Sequence, residues 1–111
     1  MDHALQNFKA DFFKALAHPA RIRLLETLMS GERTVQDLQA LLGLDQPSVS
    51  QHLAILRTKN IVSAQKFGTA VRYTLRDPLV GELLETARRL FERHLVGTQV
   101  LLRDLRRERV R

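Results

Sequence analysis

The sequence predicts a mainly α-helical fold with one small β-hairpin (α+β), and three observations support this. Apolar residues recur every three or four positions up to about Lys59 and again from Pro78 onward, as in amphipathic helices. Between these regions the apolar period falls to two, which is typical of strands. Prolines and a glycine, Pro19, Gly43 and Pro47, stand where helices are expected to begin or end. Four helices, a hairpin and a last helix follow the order of a winged helix-turn-helix.

A proline separates the first two predicted helices. The first helix ends before His18-Pro19, because the residue before a proline disfavours helical geometry. Its apolar stripe consists of Leu5, Phe8, Phe12 and Leu16. The second helix begins with Pro19 in its first turn and ends at Ser30-Gly31. Its apolar side is expected to contain Ile22, Leu25 and either Leu28 or Met29.

The third and fourth predicted helices begin at polar residues and have a glycine between them. Thr34 is the expected N-cap of the third helix, with Asp37 three positions later as in a capping box. The third helix ends at Gly43, and its apolar face consists of Val35, Leu38, Leu41 and Leu42. Asp45 is the expected N-cap of the fourth helix, which has Pro47 in its first turn and runs to about position 59.

Two short segments and a long one complete the chain. The segments IVSAQKF and AVRYTL are rich in β-branched and aromatic residues and are separated by Gly68-Thr69, so they predict a hairpin with a tight turn. From Pro78 to about Arg107 the helical period returns, on a stripe of Val80, Leu83, Leu84, Ala87, Leu90, Phe91, His94, Leu101 and Leu105. That helix would be roughly 45 Å long, more than so small a domain covers with its own core. Gly97 and Thr98 are expected to weaken its middle.

Composition limits the classes of function. A chain of 111 residues predicts a single domain over residues 1–111. Its formal net charge of +6 favours a polyanion such as nucleic acid as partner. The absence of cysteine excludes disulfides and thiolate metal sites. Charged residues interrupt the first segment, MDHALQNFKADFFKAL, so it is neither a signal peptide nor a membrane span, and a cytoplasmic protein without a membrane partner is expected.

The fourth helix, within the segment LDQPSVSQHLAILR, has an unusual surface. Val49, Leu53 and Leu56 are expected to point into the core. At about 100° per residue, the opposite side then consists of Pro47, Gln51, Ala54 and Thr58, with Ser48 and Ser50 on its flanks. Small side chains and uncharged hydrogen-bonding groups suit the DNA major groove, where glutamine can pair with adenine. The alternative is a merely solvated face. Ile55 fits neither side and is expected to pack against a neighbouring element.

Three segments of this sequence resemble the ArsR/SmtB family of bacterial transcriptional repressors. They are FFKALAHPARIRLLETL, TVQDLQALLGLDQPSVSQHLAILRTKNIV and GTAVRYTL, over about residues 8 to 75. The resemblance implies a homodimer whose first and last helices form the interface, and which binds double-stranded DNA. It also implies DNA contacts from the fourth helix through Gln46, Pro47, Ser48, Ser50, Gln51 and His52, and contacts from the hairpin, or wing, through Lys66 and Arg72. A two-fold dimer predicts an inverted-repeat operator.

The sequence departs from this family at both of its familiar metal sites. The family's thiolate motif falls on ERTVQDL, where Thr34 and Gln36 replace cysteines. Its other site falls on Asp77, Leu79, Leu90 and Arg93, of which only the aspartate can bind a transition metal. We therefore expect no metal at these positions and no cofactor. One alternative remains open: His94 of two subunits, with Glu85 or Glu92, could form a nickel or zinc site across the dimer axis.

The basic residues outside the fourth helix and the hairpin are expected to have structural or non-specific roles. Arg21 and Arg23 of the second helix are expected to be structural or solvated, and the terminal RRERVR a solvated tail that adds affinity without choosing a sequence.

A winged helix used for protein contact is a second class of function. An enzyme is excluded, since the chain has no carboxylate pair near a histidine and no glycine-rich phosphate loop. The sequence does not identify the effector, which is expected to be a small molecule, a partner protein or the protein's own concentration.

Overall fold

The computed structural model describes residues 2–94 and 99–110. In these ranges the chain is mainly helical with a small antiparallel sheet, which confirms the predicted fold class. The elements are α1 Ala4–Leu16, α2 Pro19–Leu28, β1 Arg33–Thr34, α3 Val35–Leu42, α4 Gln46–Thr58, β2 Val62–Phe67, β3 Ala70–Leu75, α5 Pro78–His94 and α6 Gln99–Val110. Among the described helices, none has both the length and the apolar character needed to cross a membrane.

The predicted helix starts are present with their capping hydrogen bonds. The Thr34 hydroxyl accepts from the Asp37 backbone N–H at 3.1 Å, and the Asp37 carboxylate accepts from the Thr34 N–H at 3.0 Å. Asp45 caps α4 by accepting from the Ser48 N–H at 3.2 Å. Hydrogen bonds from Thr34 and from Ser48 lower the pKa of Asp37 and of Asp45 respectively. Gly43, with φ of +68°, ends α3 in the left-handed conformation that glycine adopts at little cost.

The core lies where α1 to α4 meet the base of the hairpin. Its buried members are Ala15, Leu16, Leu24, Leu25, Leu28, Leu38, Leu42, Val49, Leu53, Leu56, Ile61, Val62 and Val80. The prediction for α2 was partly wrong, because Leu24 is buried and Ile22 is exposed. Both residues fit a helical stripe, and the packing of α2 between α3 and α4 selects one of them. Ile55 packs, half-buried, against this core, as expected.

The sheet contains one strand more than the sequence predicted. β2 and β3 form the hairpin around Gly68-Thr69, with Phe67 paired to Ala70. The two-residue strand β1 pairs with the other edge of β3, Thr34 lying opposite Arg72, so β3 is central in the order β1-β3-β2. Two residues are too few for a period-two pattern, which is why this strand has no signature in the sequence.

The prediction of one continuous helix from Pro78 to about Arg107 was wrong. α5 ends at His94 and α6 begins at Gln99, while Gly97 and Thr98 lie outside the described residues. Glu108 lines a cleft together with Arg88 and Glu26, whereas twenty residues of continuous helix would separate positions 88 and 108 by roughly 30 Å. α6 therefore folds back along α5. Both helices keep the same apolar period, so periodicity alone does not detect the break.

Large apolar side chains remain exposed on the two helices expected to form an interface. On α1 they are Leu5, Phe8 and Phe13, and on α5 they are Leu79, Leu83, Leu90 and Phe91. Phe12 is half-buried against the core. An isolated chain thus leaves much of both predicted apolar stripes in contact with water, which is unfavourable for contiguous apolar surface.

Candidate DNA interface

The exposed face of α4 is held in place by the buried face on its other side. Val49, Leu53 and Leu56 are all but fully buried, which confirms the predicted orientation of this helix. Because buried positions at this spacing fix the rotation of a helix, the remaining side chains have defined directions. The exposed side chains include Gln46, Pro47, Ser50, Gln51, Ala54 and Thr58. None of these six is charged, and four of them carry groups that donate or accept hydrogen bonds.

Ser48 has a local role at the start of α4. Its hydroxyl donates to Asp45 Oδ1 at 2.6 Å, while its backbone N–H donates to the same carboxylate. The hydroxyl proton is therefore engaged in the cap, and only the oxygen remains to accept a further hydrogen bond. Ser48 is half-buried, in contrast to Ser50, which is exposed.

A shallow groove of about 420 Å³ separates α4 from the hairpin. It is lined by Ser50, Leu53, Ala54, Arg57, Thr58 and Tyr73. The contact residues predicted from sequence did not include Arg57 and Tyr73, which line this groove. Arg57 stands seven positions after Ser50, two helical turns further along the same side, so the helical period would have identified it. Tyr73 comes from β3, and only the tertiary structure brings it to α4.

His52 lies on the flank of α4 rather than on its exposed face. It is half-buried, with Nδ1 at 3.3 Å from Arg21 Nη1 of α2. The rings of His52 and His18 lie 4.5 Å apart at an angle of 53°. Desolvation by burial, followed by the positive field of His18 and Arg21, lowers the pKa of His52. No pattern in the sequence pairs these two histidines, which are brought together by the packing of α2 against α4.

The two predicted wing residues point to opposite faces of the hairpin. Lys66 lies opposite Val71, and Arg72 lies opposite Gln65. Since side chains alternate along a strand, Lys66 shares its face with Val62, whose side chain is buried at the base of the hairpin. Arg72 belongs to the other face. The structure therefore does not bring these two cations into one cluster.

Arg72 is already engaged by protein groups. Its Nη1 forms an ion pair with Glu32 Oε1 at 2.7 Å, and its guanidinium lies 5.3 Å from the ring centre of Phe67. The two charged side chains are 46% and 45% exposed, so the pair contributes only about 0–1 kcal/mol. A phosphate can replace Glu32 at this low cost.

A second cleft, of about 650 Å³, lies between α2, α3, α5 and α6. The charges of its lining residues differ from those of the groove beside α4. Burial, together with the nearby carboxylate of Glu108, raises the pKa of Glu26. Arg88 forms an ion pair with Glu85, and this hydrogen bond raises the pKa of Arg88. Arginines and glutamates line this cleft in equal number, so it does not suit a polyanion, whereas the groove beside α4 has no acidic residue in its lining.

The residues at the two family metal sites have other roles. Thr34 forms the capping box of α3, and Asp77 accepts a hydrogen bond from the Leu79 N–H at 2.9 Å. Leu79 and Leu90 are exposed on α5. Within residues 2–94 and 99–110, no group of three His, Cys, Asp or Glu side chains is arranged to hold a metal.

Comparison with known proteins identifies the family. The profile described as bacterial regulatory protein, arsR family, matches residues 18–64, from the start of α2 into β2. Over 103 residues the chain is 43% identical to the uncharacterized HTH-type transcriptional regulator Rv0081 of Mycobacterium tuberculosis, covering 92% of this chain and 90% of that protein. This chain belongs to the ArsR family. As an ArsR-family protein it is a DNA-binding transcriptional regulator and not an enzyme, and the resemblance seen in the sequence is confirmed.

Solved structures agree with this assignment. The crystal structure of Rv0081 matches this ArsR-family chain with a TM-score of 0.80 and 42% identity, covering 85% of this chain and 95% of that one. The solution structure of the homodimeric winged helix-turn-helix domain Mb0332 from Mycobacterium bovis matches with a TM-score of 0.78 and 29% identity, covering 86% and 90%. A probable mercury resistance operon repressor of Streptomyces lividans is 43% identical over 79 residues, 71% of this chain and 63% of that protein.

Proposed function

We propose that this protein is a dimeric transcriptional repressor that reads an inverted-repeat operator through α4. The observation that carries the proposal is the exposed face of α4, which has uncharged hydrogen-bonding side chains, the cation Arg57 and no carboxylate, on a helix whose opposite side is fully buried. Such a face can enter the major groove without the repulsion that acidic side chains would meet. Relatives named as repressors, including the Streptomyces lividans protein, support repression as the mode of control.

The proposed contacts divide into three groups. Gln46, Pro47, Ser50 and Gln51 face the bases, because their side chains are exposed in the first turns of α4. Ser48 and His52 lie on its flank and contribute less to base reading. Lys66 and Arg72 reach the phosphates from the two faces of the wing, where contacts position the protein without selecting a sequence.

The proposed dimer uses the exposed apolar surfaces of α1 and α5. Phe8 on α1 and Leu79 on α5 are each more than three-fifths exposed in a single chain. A second copy related by a two-fold axis would cover the same surface on both subunits. The homodimeric state of the relative Mb0332 supports this arrangement. With two recognition helices, the half-sites are expected to lie about one DNA turn, 10 to 10.5 base pairs, apart.

Selection from a pool of random duplexes, followed by sequencing, tests the proposed function. We expect an enriched inverted repeat with half-sites at the stated spacing. Enrichment of no sequence, together with weak and salt-independent binding to all duplexes, would contradict the proposal and favour a winged helix used for protein contact.

Changing the ion pair on the wing is expected to alter affinity without altering sequence preference. Arg72→Ala should weaken binding to operator and random duplexes alike and reduce the salt slope by about one unit, because one phosphate contact is lost. Glu32→Gln should strengthen binding to both, because it frees Arg72 and removes a negative charge. Titrating each variant with operator and random duplexes at several salt concentrations measures the affinity and its salt slope.

The matched control for these wing variants is Arg89→Ala, which removes the same charge from an exposed position on α5. It should retain the wild-type salt slope. A loss of affinity in Arg72→Ala that is confined to the operator would show that Arg72 reads bases instead of anchoring phosphate.

Operator binding is expected to be independent of transition metals at either family site. Thr34 and Gln36 replace thiolates, and Leu79 and Leu90 replace imidazoles, so too few ligands remain. The test is to titrate chelator-treated protein with Zn²⁺, Ni²⁺ and Co²⁺ while following operator affinity. A stoichiometric change of about tenfold, which is about 1.4 kcal/mol of coupling, would contradict this prediction. Loss of that change in His94→Ala would identify His94 as a ligand.

A further inference from the structure

Three helices meet at the side chain of Arg21. Arg21 Nε donates to the backbone carbonyl of Ala15, near the end of α1, at 2.7 Å. Its Nη1 lies 3.3 Å from His52 Nδ1 on α4. Arg21 itself belongs to the first turn of α2, next to the N-cap His18, whose Nδ1 accepts from the Ala20 N–H at 3.1 Å. A single guanidinium thus connects the junction of α1 and α2 to the recognition helix.

The hydrogen bonds at this junction determine where the protons of both histidines lie. A guanidinium can only donate, so His52 Nδ1 must be the acceptor and must carry no proton. A backbone N–H also only donates, so the same holds for His18 Nδ1. Both rings, when neutral, are therefore in the tautomer with the proton on Nε2. A second proton on the His52 ring would remove the acceptor and break its hydrogen bond with Arg21.

We propose that Arg21 is a positioning residue that holds the recognition helix through His52, and that it does so only while His52 is neutral. This inference rests on the proposed operator binding and deepens it. His52 then acts on DNA recognition indirectly: it fixes the rotation and depth of α4 against α2, and so the place of Ser50 and Gln51 in the groove. Recognition is sensitive to such placement because paired hydrogen bonds to a base require accurate geometry.

Protonation of His52 opposes this arrangement for two reasons. It removes the acceptor for Arg21, and it places a second positive charge beside the Arg21 guanidinium and next to the His18 ring, which lies 4.5 Å away. His18, the N-cap of α2, and Arg21 of α2 are the charged or titratable groups that act on His52 within the described part of the chain, while α1 contributes the Ala15 carbonyl. No carboxylate in this part of the chain is positioned to compensate the added charge.

The direction of the pH effect follows from the lowered pKa of His52. The folded state binds the proton less readily than an unfolded chain, whose histidine titrates near pH 6.5. The contact between Arg21 and His52 therefore contributes fully to the stability of the folded state above about pH 6.5. This contribution is lost as the pH falls through the lower pKa that His52 has in the folded state. Added positive charge meanwhile strengthens binding to any duplex. Operator affinity relative to random duplex should therefore fall on acidification.

The experiment measures this ratio of affinities between about pH 7.5 and about pH 5.5, across the titration range of histidine. The operator is the duplex enriched from the random pool. In the wild type we expect the ratio to fall by about tenfold over this range. In His52→Gln, whose amide oxygen can accept from Arg21 but cannot titrate, the ratio should not vary with pH, whatever its starting value. Arg21→Met should lower the ratio already at the higher pH, whereas Arg23→Met, the matched control on α2, should behave as the wild type.

A readout without DNA separates this inference from the proposed function. The ¹⁵N resonances of the histidine rings report tautomer and pKa in the free protein. His52 should be in the Nε2–H tautomer, and Arg21→Met should raise its pKa, because the donated hydrogen bond and the positive charge are both lost. Identical titration of His52 in wild type and Arg21→Met would overturn the proposal, as would a wild-type ratio that does not fall on acidification. Direct contact of His52 with phosphate predicts a constant ratio, because such a contact strengthens binding to every duplex. Failure to enrich any operator would instead contradict the proposed function alone.

Discussion

Replacing Phe8 with aspartate is expected to convert the dimer into a monomer and to remove measurable operator binding. Phe8 is 72% exposed on the isolated chain, the largest exposed fraction among the large apolar side chains that the structure describes. Covering such a side chain contributes about 1.5–3 kcal/mol, and a two-fold interface contains it twice. A carboxylate at the same position would in addition have to be buried without a partner, which is strongly unfavourable.

Light scattering after size-exclusion chromatography measures the result. The wild type should have a measured mass of about twice the chain mass of 12.8 kDa, and Phe8→Asp should have the mass of a single chain. Leu41→Asp is the matched control, since Leu41 is 56% exposed on α3, outside the proposed interface. It should remain dimeric. A wild type that is monomeric at micromolar concentration would contradict the proposed dimer and, with it, the inverted repeat.

Gln51→Ala should weaken binding to the operator by about 1–3 kcal/mol at each half-site and leave binding to random duplexes almost unchanged. Gln51 lies opposite the buried side of α4, so its amide is the group best placed for paired hydrogen bonds to a base. Because both subunits carry the change, the effect on the dimer is larger than that of a single contact.

Gln36→Ala is the control for this variant, because it removes an exposed glutamine from the neighbouring helix α3. It should bind the operator as the wild type does. Competition between labelled operator and random duplex measures both variants. Equal loss of affinity for the two duplexes in Gln51→Ala would show that α4 contacts phosphates only, and that base reading lies elsewhere.

Local features of α4 could be predicted from sequence because they depend on neighbours within one or two turns. The Asp45 cap, the proline in the first turn and the spacing of Val49, Leu53 and Leu56 fix where the helix starts and which side is buried. The direction of Gln51 follows from these features without knowledge of the rest of the fold. The same holds for the capping box of Thr34 and the tight turn at Gly68.

The candidate site was predicted less completely, for a related reason. Arg57 follows from the helical period, but Tyr73 reaches the groove from β3. The sequence around Arg72 is that expected of an unpaired cation on the wing. In the structure, however, Glu32, forty positions earlier, forms an ion pair with it. A pattern in the sequence cannot report such partners, because their separation along the chain carries no information on their distance in space.

The sequence by itself determined the helical and strand periods, the caps, the hydrogen-bonding face of α4 and the lack of ligands at the family metal sites, since each depends on residue type and short spacing. The tertiary structure alone decided that α6 turns back beside α5, that β1 joins the sheet, and that Leu24 is buried in place of Ile22. It also decided that His52 meets Arg21 across thirty-one positions. These outcomes depend on which surfaces pack together, and close packing selects among several arrangements that satisfy the same local pattern.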